Sequence, residues 1–380
     1  MTEAAVNPTL GTVVCALGGL AGAVFAVPFR WIKDVKYESY WLFYALAGLL
    51  VFPLVLAMTT CPDTFKVVGG ASPAVLAQCI GFGALWGLGG LTWGLMIRYL
   101  GIGLGLAIGC GLCSATGTLI PPIVTGHAAD LVGGAGARIV LGGVVGSLVG
   151  IALVGLAGKF KEGELSEEQK KSAVAEFDFK KGMLVALFSG IASAGMNFGL
   201  QSGGTMEAAA AKAGTPAAWC GMPVLVVVLW GGLVVNVVWC LWQNKKNGSF
   251  GDYRKMFGGN FAAIVLAAFA GVVWACQFAC QKAGEPQLGA DLKYIAFAVV
   301  MGSAIFFSSL LGLFMGEWRG TGAKTKGCLA LGIFVLLASF CVISWGGKVK
   351  DAEKKESEKA PAAEAAAAVQ QQAAAQQATK

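Results

Sequence analysis

Apolar residues run through this chain in ten stretches of roughly 20 residues, each about long enough for a helix to cross a ~30 Å hydrocarbon core. Short segments rich in Lys, Arg, Asp, Glu, Gly and Pro separate them. The stretches are unbroken, whereas the strands of a membrane barrel are ~10 residues of strict alternation, so the pattern predicts helices. Their approximate bounds are 8–28, 39–59, 73–97, 100–122, 138–158, 182–203, 217–243, 259–283, 290–316 and 327–347. A helix satisfies its own backbone hydrogen bonds, which lipid cannot do for it. The expected fold class is an all-α integral membrane protein with ten transmembrane helices.

The polar punctuation orients these helices. One set of alternate connections carries 17 basic residues, among them Arg30, Lys36, Arg98, the lysines of 159–181, Lys245 and Arg319; the other set carries five. The richer set is expected in the cytoplasm, which places both termini outside. No basic residue precedes the first stretch and no clean cleavage signature follows it, so it reads as a retained helix. Residues 159–181 form the longest interior connection, a polar loop between residues 1–158 and 182–347. Residues 348–380 turn to Lys/Glu and then Ala/Gln repeats, a low-complexity tail expected to be disordered, with nothing apolar enough to bury.

The two halves resemble each other. GGLAGAVFAVPF (18–29) aligns with SGIASAGMNFGL (189–200), and GALW (83–86) with GVVW (271–274), matching the first helix to the sixth and the third to the eighth. Five is odd, so the second half must enter the membrane from the opposite side. Two inverted five-helix repeats of this kind characterise transporters that work by alternating access.

Composition narrows the function. Charged residues make up only 13% of the chain and mean hydropathy is +0.70, which no soluble domain of this size could hide. The net charge of +7 resides mostly in membrane-proximal lysines, so lipid and not nucleic acid is the expected macromolecular neighbour. The 56 glycines cluster within the stretches, as at 101–111 and 142–150, and read as close helix-packing surface. Cys110 and Cys113 form a C-x-x-C at membrane depth, with no second pair nearby; they read as packing residues, and no metal or cofactor is expected.

No catalytic constellation emerges, because the stretches hold almost no carboxylates: Glu38, Glu207 and Glu317 fall near helix ends. Glu207 and Glu38 are the candidates for coupling an ion. Glu317-Trp318-Arg319 reads as a helix-end ion pair with an interfacial Trp, and His127, in an outward loop, as no buried proton relay. The polar side chains at depth are neutral: Thr92, Ser114, Thr116, Thr118, Asn197, Gln201, Asn236, Gln277 and Gln281. Such groups face other helices or a water-filled cavity. Asn197 and Gln201 share a helix face, as do Gln277 and Gln281; Trp274 lies one turn before Gln277, and Trp86 and Trp93 are seven apart. Aromatic planes beside neutral amides suit an uncharged polyol. The competing assignment is helix-to-helix bonding for the amides and interfacial anchoring for the tryptophans.

Several blocks in order resemble the L-rhamnose–proton symporter family of the drug/metabolite transporter superfamily: GALWGLGGLTWGLMIRYLGIGLGLAIG (83–109), GTLIPPIVTG (117–126), FDFKKGMLVALFSGIASAGMNFGL (177–200) and GLFMGEW (312–318). The resemblance spans about residues 10–347. It implies ten helices in a five-plus-five inverted repeat, a bacterial inner-membrane location and uptake of a 6-deoxy sugar driven by protons or another cation. Trp274 and Gln277 match the family pattern. Gly90, Thr92 and Trp93 stand where the family usually carries Asn, Asn and Tyr, which points to a retuned ligand. The expected function is proton- or sodium-coupled uptake of L-rhamnose or a related neutral monosaccharide through Trp86, Trp93, Asn197, Gln201, Trp274, Gln277 and Gln281. An exporter or facilitator of another metabolite is the first alternative, and a membrane-embedded sensor or assembly subunit the second.

Overall fold

A computed structural model describes residues 7–124, 132–166, 177–288 and 296–378. All regular structure among them is helical. Ten principal helices follow in chain order: α1 (Pro8–Trp31), α2 (Tyr37–Thr60), α3 (Pro73–Leu100), α4 (Ile102–Val124), α5 (Ala135–Glu164), α6 (Phe179–Lys212), α7 (Ala217–Asn247), α8 (Phe261–Leu288), α9 (Ala296–Phe314) and α10 (Ala323–Ala378). Eight of these are long and apolar enough to cross a membrane; α4 and α9 contain the shorter apolar helices Ile102–Gly117 and Val299–Phe314. His127 and residues 167–176 of the loop 159–181 lie outside the described residues.

Local chemistry sets the helix ends. Asn7 and Ser72 accept the Leu10 and Val75 N–H groups ahead of Pro8 and Pro73, whose missing donors cost nothing in a first turn. Gly101, at φ 87°, turns the chain sharply from α3 into α4, and Gly248, at φ 62°, ends α7. Three helices are interrupted. α1 tightens into a 3-10 turn at Val27–Trp31; α2 loosens into a π-helical turn at Leu46–Val51 ahead of Pro53; α6 breaks at Ala194 and Gly203. α10 runs well past the expected end at 347, because Ala, Gln, Glu and Lys are strong helix formers.

Helix pairing follows a pattern. α1 packs on α8 and α9, whereas α6 packs on α3 and α4; α2 packs on α8, and α7 on α3. α2 and α7, α4 and α9, and α5 and α10 pair with each other. Glycines permit the closest approaches: a Cβ on Gly271 would overlap the Tyr44 carbonyl, and one on Gly83 the Val228 carbonyl.

One end of the bundle, bearing Arg30, Lys36 and Lys245, is tied shut by side chains. Glu38 accepts from Asn247 Nδ2 (2.9 Å) and Ser249 Oγ (2.7 Å), joining α2 to the end of α7. Asp252 accepts the Lys36 N–H (2.8 Å). Glu317 does not form the expected ion pair with Arg319. The tight Gly101 turn instead presents the α4 N-terminus to it, and its buried carboxylate accepts from Ile102 N (2.8 Å) and Gly103 N (3.1 Å). Burial pushes its pKa above the usual carboxylate range despite those bonds and the nearby Lys161. Lys161, fully buried, lies 4.8 Å from the Trp318 ring and 5.2 Å from that of Phe177.

Candidate substrate site

The central cavity forms where α1, α3, α4, α6, α8 and α9 converge. α3 contributes Trp86 and Trp93, α6 Ser193, Met196 and Asn197, and α8 Trp274, Gln277, Phe278 and Gln281. Gly22 of α1, Cys110 and Cys113 of α4, and Phe297 and Met301 of α9 complete the wall. These positions follow from helical period: Trp86 and Trp93 are two turns apart, while Trp274, Gln277, Phe278 and Gln281 fall on one face. Among the described residues, no carboxylate, lysine, arginine or histidine lines the cavity.

The aromatic part is tightly interlocked. Phe278 receives Trp86 and Trp274 edge-on at centroid distances of 5.6 and 5.8 Å, Trp93 stands 6.3 Å from Trp274, and Phe25 leans on Trp274 at 4.4 Å. The polar part is not saturated. Gln277 is 5% exposed, yet among the described residues its amide makes no hydrogen bond, nor does that of Asn197. The buried Trp93 Nε1 likewise has no acceptor among the described residues. Gly22 makes room for Gln277, since a Cβ there would overlap its Oε1. Buried donors and acceptors left open on one cavity wall are groups that a ligand can satisfy.

The cavity volume is about 30 Å³, room for one or two waters. It adjoins a vestibule of about 380 Å³, a size suited to a small ligand, at the end of the bundle opposite Glu38 and Glu317. Asn197, Gln281 and Phe297 line both spaces, and Leu200, Gln201, Gly204, Glu207, Lys282 and Glu285 line the vestibule alone. There Lys282 pairs with Glu207 of α6 and, at 3.0 Å, with Glu285 of its own helix; Gln281 Nε2 donates to Glu285 Oε1 at 3.3 Å.

The structure therefore brings Trp86, Trp93, Asn197, Trp274, Gln277 and Gln281 to one cavity and puts Gln201, exposed, in the vestibule. Asn197 and Gln201 lie in one unbroken helical segment, Gly195–Ser202; Gln201, one turn further toward the open end, shares the vestibule wall with Asn197 but does not reach the cavity. Glu207 stands at the vestibule, whereas Glu38 is bound into the closed end and lines neither space. Asn236 is helix glue: its Oδ1 accepts Trp41 Nε1 at 2.8 Å, tying α7 to α2. Thr92 and Thr116 bond back to their own helices. Sequence reasoning missed Lys282 and Glu285 as site residues because it counted Lys282 among the five basic residues of the outward connections and ended the eighth span at 283, short of Glu285. The signal was present: a charged pair at i, i+3 directly after the Gln277/Gln281 face. Cys110 and Cys113 line the cavity, and among the described residues no cluster of three metal-ligating side chains occurs.

A sequence profile of the L-rhamnose-proton symport protein family matches residues 3–348. The chain is 30% identical over 341 residues to the L-rhamnose-proton symporter of Cronobacter sakazakii (strain ATCC BAA-894), covering 89% of this chain and 97% of that one. It is also 30% identical over 344 residues to the L-rhamnose-proton symporter of Salmonella paratyphi B (strain ATCC BAA-1250 / SPB7), covering 89% and 98%. These relatives are named as transporters, not enzymes. No solved structure matches the chain.

Proposed function

Since the chain belongs to the L-rhamnose-proton symport protein family, we propose that it takes up L-rhamnose or a closely related deoxy sugar together with a proton, by alternating access across the bacterial inner membrane. The carrying observation is the cavity wall on which Trp274 and the unbonded amide of Gln277 stand together, with no carboxylate, lysine, arginine or histidine on that wall among the described residues. A ring plane can cover the sugar's C–H face, and an amide with two donors and two acceptor sites can bridge adjacent hydroxyls. Trp93, where the family usually carries a tyrosine, offers an indole N–H in its place. Loss of the two neighbouring amides, at Gly90 and Thr92, favours a ligand with fewer hydroxyls or a different ring substituent on that side.

The helix pairing supports two inverted five-helix repeats, residues 1–158 and 182–347, in a drug/metabolite transporter arrangement. Gly19 of α1 lies against Val300 and Ser303 of α9; Gly190 of α6, at the matching place in the second half, lies against Gly109 and Leu112 of α4. The Gly271–Tyr44 and Gly83–Val228 approaches correspond in the same way. The cavity sits at the interface of the halves, where transporter sites form. With the basic end in the cytoplasm, the vestibule faces outward, and the ties at Glu38, Asp252 and Glu317 close the inward path. Of the two coupling candidates, Glu207 lines the vestibule and Glu38 does not.

Reconstitution into proteoliposomes tests this reading. An inward proton gradient should drive concentrative uptake of radiolabelled L-rhamnose or of another 6-deoxy sugar, and a sodium gradient should not. Uptake driven only by sodium would reassign the coupling ion, and failure to move any neutral sugar would refute the substrate class.

A further inference from the structure

The vestibule ion group has an arrangement that the sugar site alone does not account for. Lys282 is 9% exposed and is held between two carboxylates on different helices, Glu207 of α6 and Glu285 of α8. One ammonium faces two carboxylates, so with both ionised the group carries one net negative charge. The cluster is built in from every side. Gly221 at the start of α7 lies against the Lys282 stem and the Glu207 carboxylate with no room for a Cβ, and Cys15 of α1 approaches Glu285. Lys282 on its own helix bonds to Glu285, with Glu207 across the lysine, and Cys280 is a neighbour of Cys15. Gln281 connects this group to the cavity: it lines both spaces and donates its amide to Glu285, one turn from the unbonded Gln277.

We propose that Glu285 is the group that binds the co-transported proton and that Gln281 links its protonation to sugar binding; this rests on the sugar–proton reading above. In the empty carrier the Glu285 carboxylate accepts from Gln281 Nε2 and from Lys282. A proton entering from vestibule water adds to the carboxylate and gives a neutral carboxylic acid, while Lys282 remains an ammonium paired with Glu207. The group is then electrically neutral, and the neutral acid, a weaker acceptor than the carboxylate, holds the Gln281 amide less firmly, so that the amide can turn to a sugar hydroxyl. Two of the four possible states are penalised. Sugar without a proton draws the Gln281 amide from an ionised, partly buried carboxylate. A proton without sugar leaves the amide with only the weaker acceptor. The fully empty and doubly loaded states are both satisfied, which is the pattern that tight symport requires. Reciprocity follows: lower pH tightens sugar binding, and sugar raises the proton affinity of the site by the same factor.

Glu285→Gln keeps the size and hydrogen-bonding capacity of the side chain but cannot titrate. In proteoliposomes its movement of L-rhamnose down the sugar's own gradient should stay above that of protein-free vesicles. It should lose proton-driven accumulation, the internal-to-external ratio falling to about 1, and its sugar affinity should no longer vary with pH. Proton-driven accumulation by Glu285→Gln equal to that of the wild type would overturn the assignment. If Glu285→Gln does not assemble, Glu285→Asp decides: a displaced pH midpoint of uptake supports the role, and an unchanged midpoint overturns it. A wild-type protein that shows no proton-driven sugar uptake refutes the transport reading itself, and this inference with it. A coupled wild type beside a coupled Glu285→Gln removes this inference alone.

Discussion

At the scale of single residues, Gln277 and Asn236 make an instructive pair. Both are amides in apolar helices and both are almost wholly buried, at 5% and 2% exposure. Asn236 spends its carbonyl oxygen on Trp41 and its amide nitrogen on the Gly232 carbonyl, so nothing is left for a ligand. Gln277 meets Gly22, which cannot bond to it through a side chain, and opens onto the cavity. Replacing Gln277 with Leu should leave the melting temperature near that of the wild type, since Leu is at home in a membrane helix. Sugar affinity should fall about tenfold or more, from one or two bonds worth about 1–1.5 kcal/mol each. Thermal unfolding and ligand titration on the same purified variant test this. A lower melting temperature with normal affinity would move Gln277 to helix packing.

At the scale of elements, the closed end depends on a junction between α4, α5 and the α9–α10 connection. Glu317 holds the first amides of α4 and lies close to Lys161, whose ammonium is covered by Trp318 and Phe177. Removing only the carboxylate takes a negative charge from near the buried Lys161 and leaves the Ile102 and Gly103 N–H groups without their acceptor, a loss of about 1–3 kcal/mol for each buried group left unpaired. Glu317→Leu should therefore lower the thermal stability of the detergent-solubilised protein markedly. Adding Lys161→Met, which removes the stranded charge and keeps the apolar stem, should recover part of the loss. Equal instability of the single and double variants would show that the two residues are not coupled.

At the scale of the whole molecule, orientation decides which way the vestibule opens. From the division of basic residues we expect the end bearing Glu38 and Glu317 in the cytoplasm, with the vestibule and both termini outside. A C-terminal reporter that is active only in the cytoplasm should stay dark in intact cells, and one active only outside should report. A bright cytoplasmic signal would reverse the topology and with it the direction in which the vestibule faces.

Much of this protein was legible in its chain because lipid imposes one simple requirement. A segment must be apolar for about 20 residues and must satisfy its own backbone, so the apolar runs mark where the helices lie, although α6 and α10 run well beyond theirs, to Lys212 and Ala378. Periodicity then grouped Trp274, Gln277 and Gln281 on one face, since helical geometry is local. What stayed hidden depends on neighbours distant in sequence. Whether an amide is glue or ligand contact turns on what the facing helix offers, Trp41 for Asn236 and bare Gly22 for Gln277. Where along α6 the cavity gives way to the vestibule put Gln201 in the vestibule alone, and the extra turn of α8 to Leu288 carried Glu285 beside Lys282 at that same wall. Hydropathy alone places a charge at a helix end; only packing against α6 and α1 shows that Lys282 and Glu285 are held inside the bundle, where their charges must be balanced by one another.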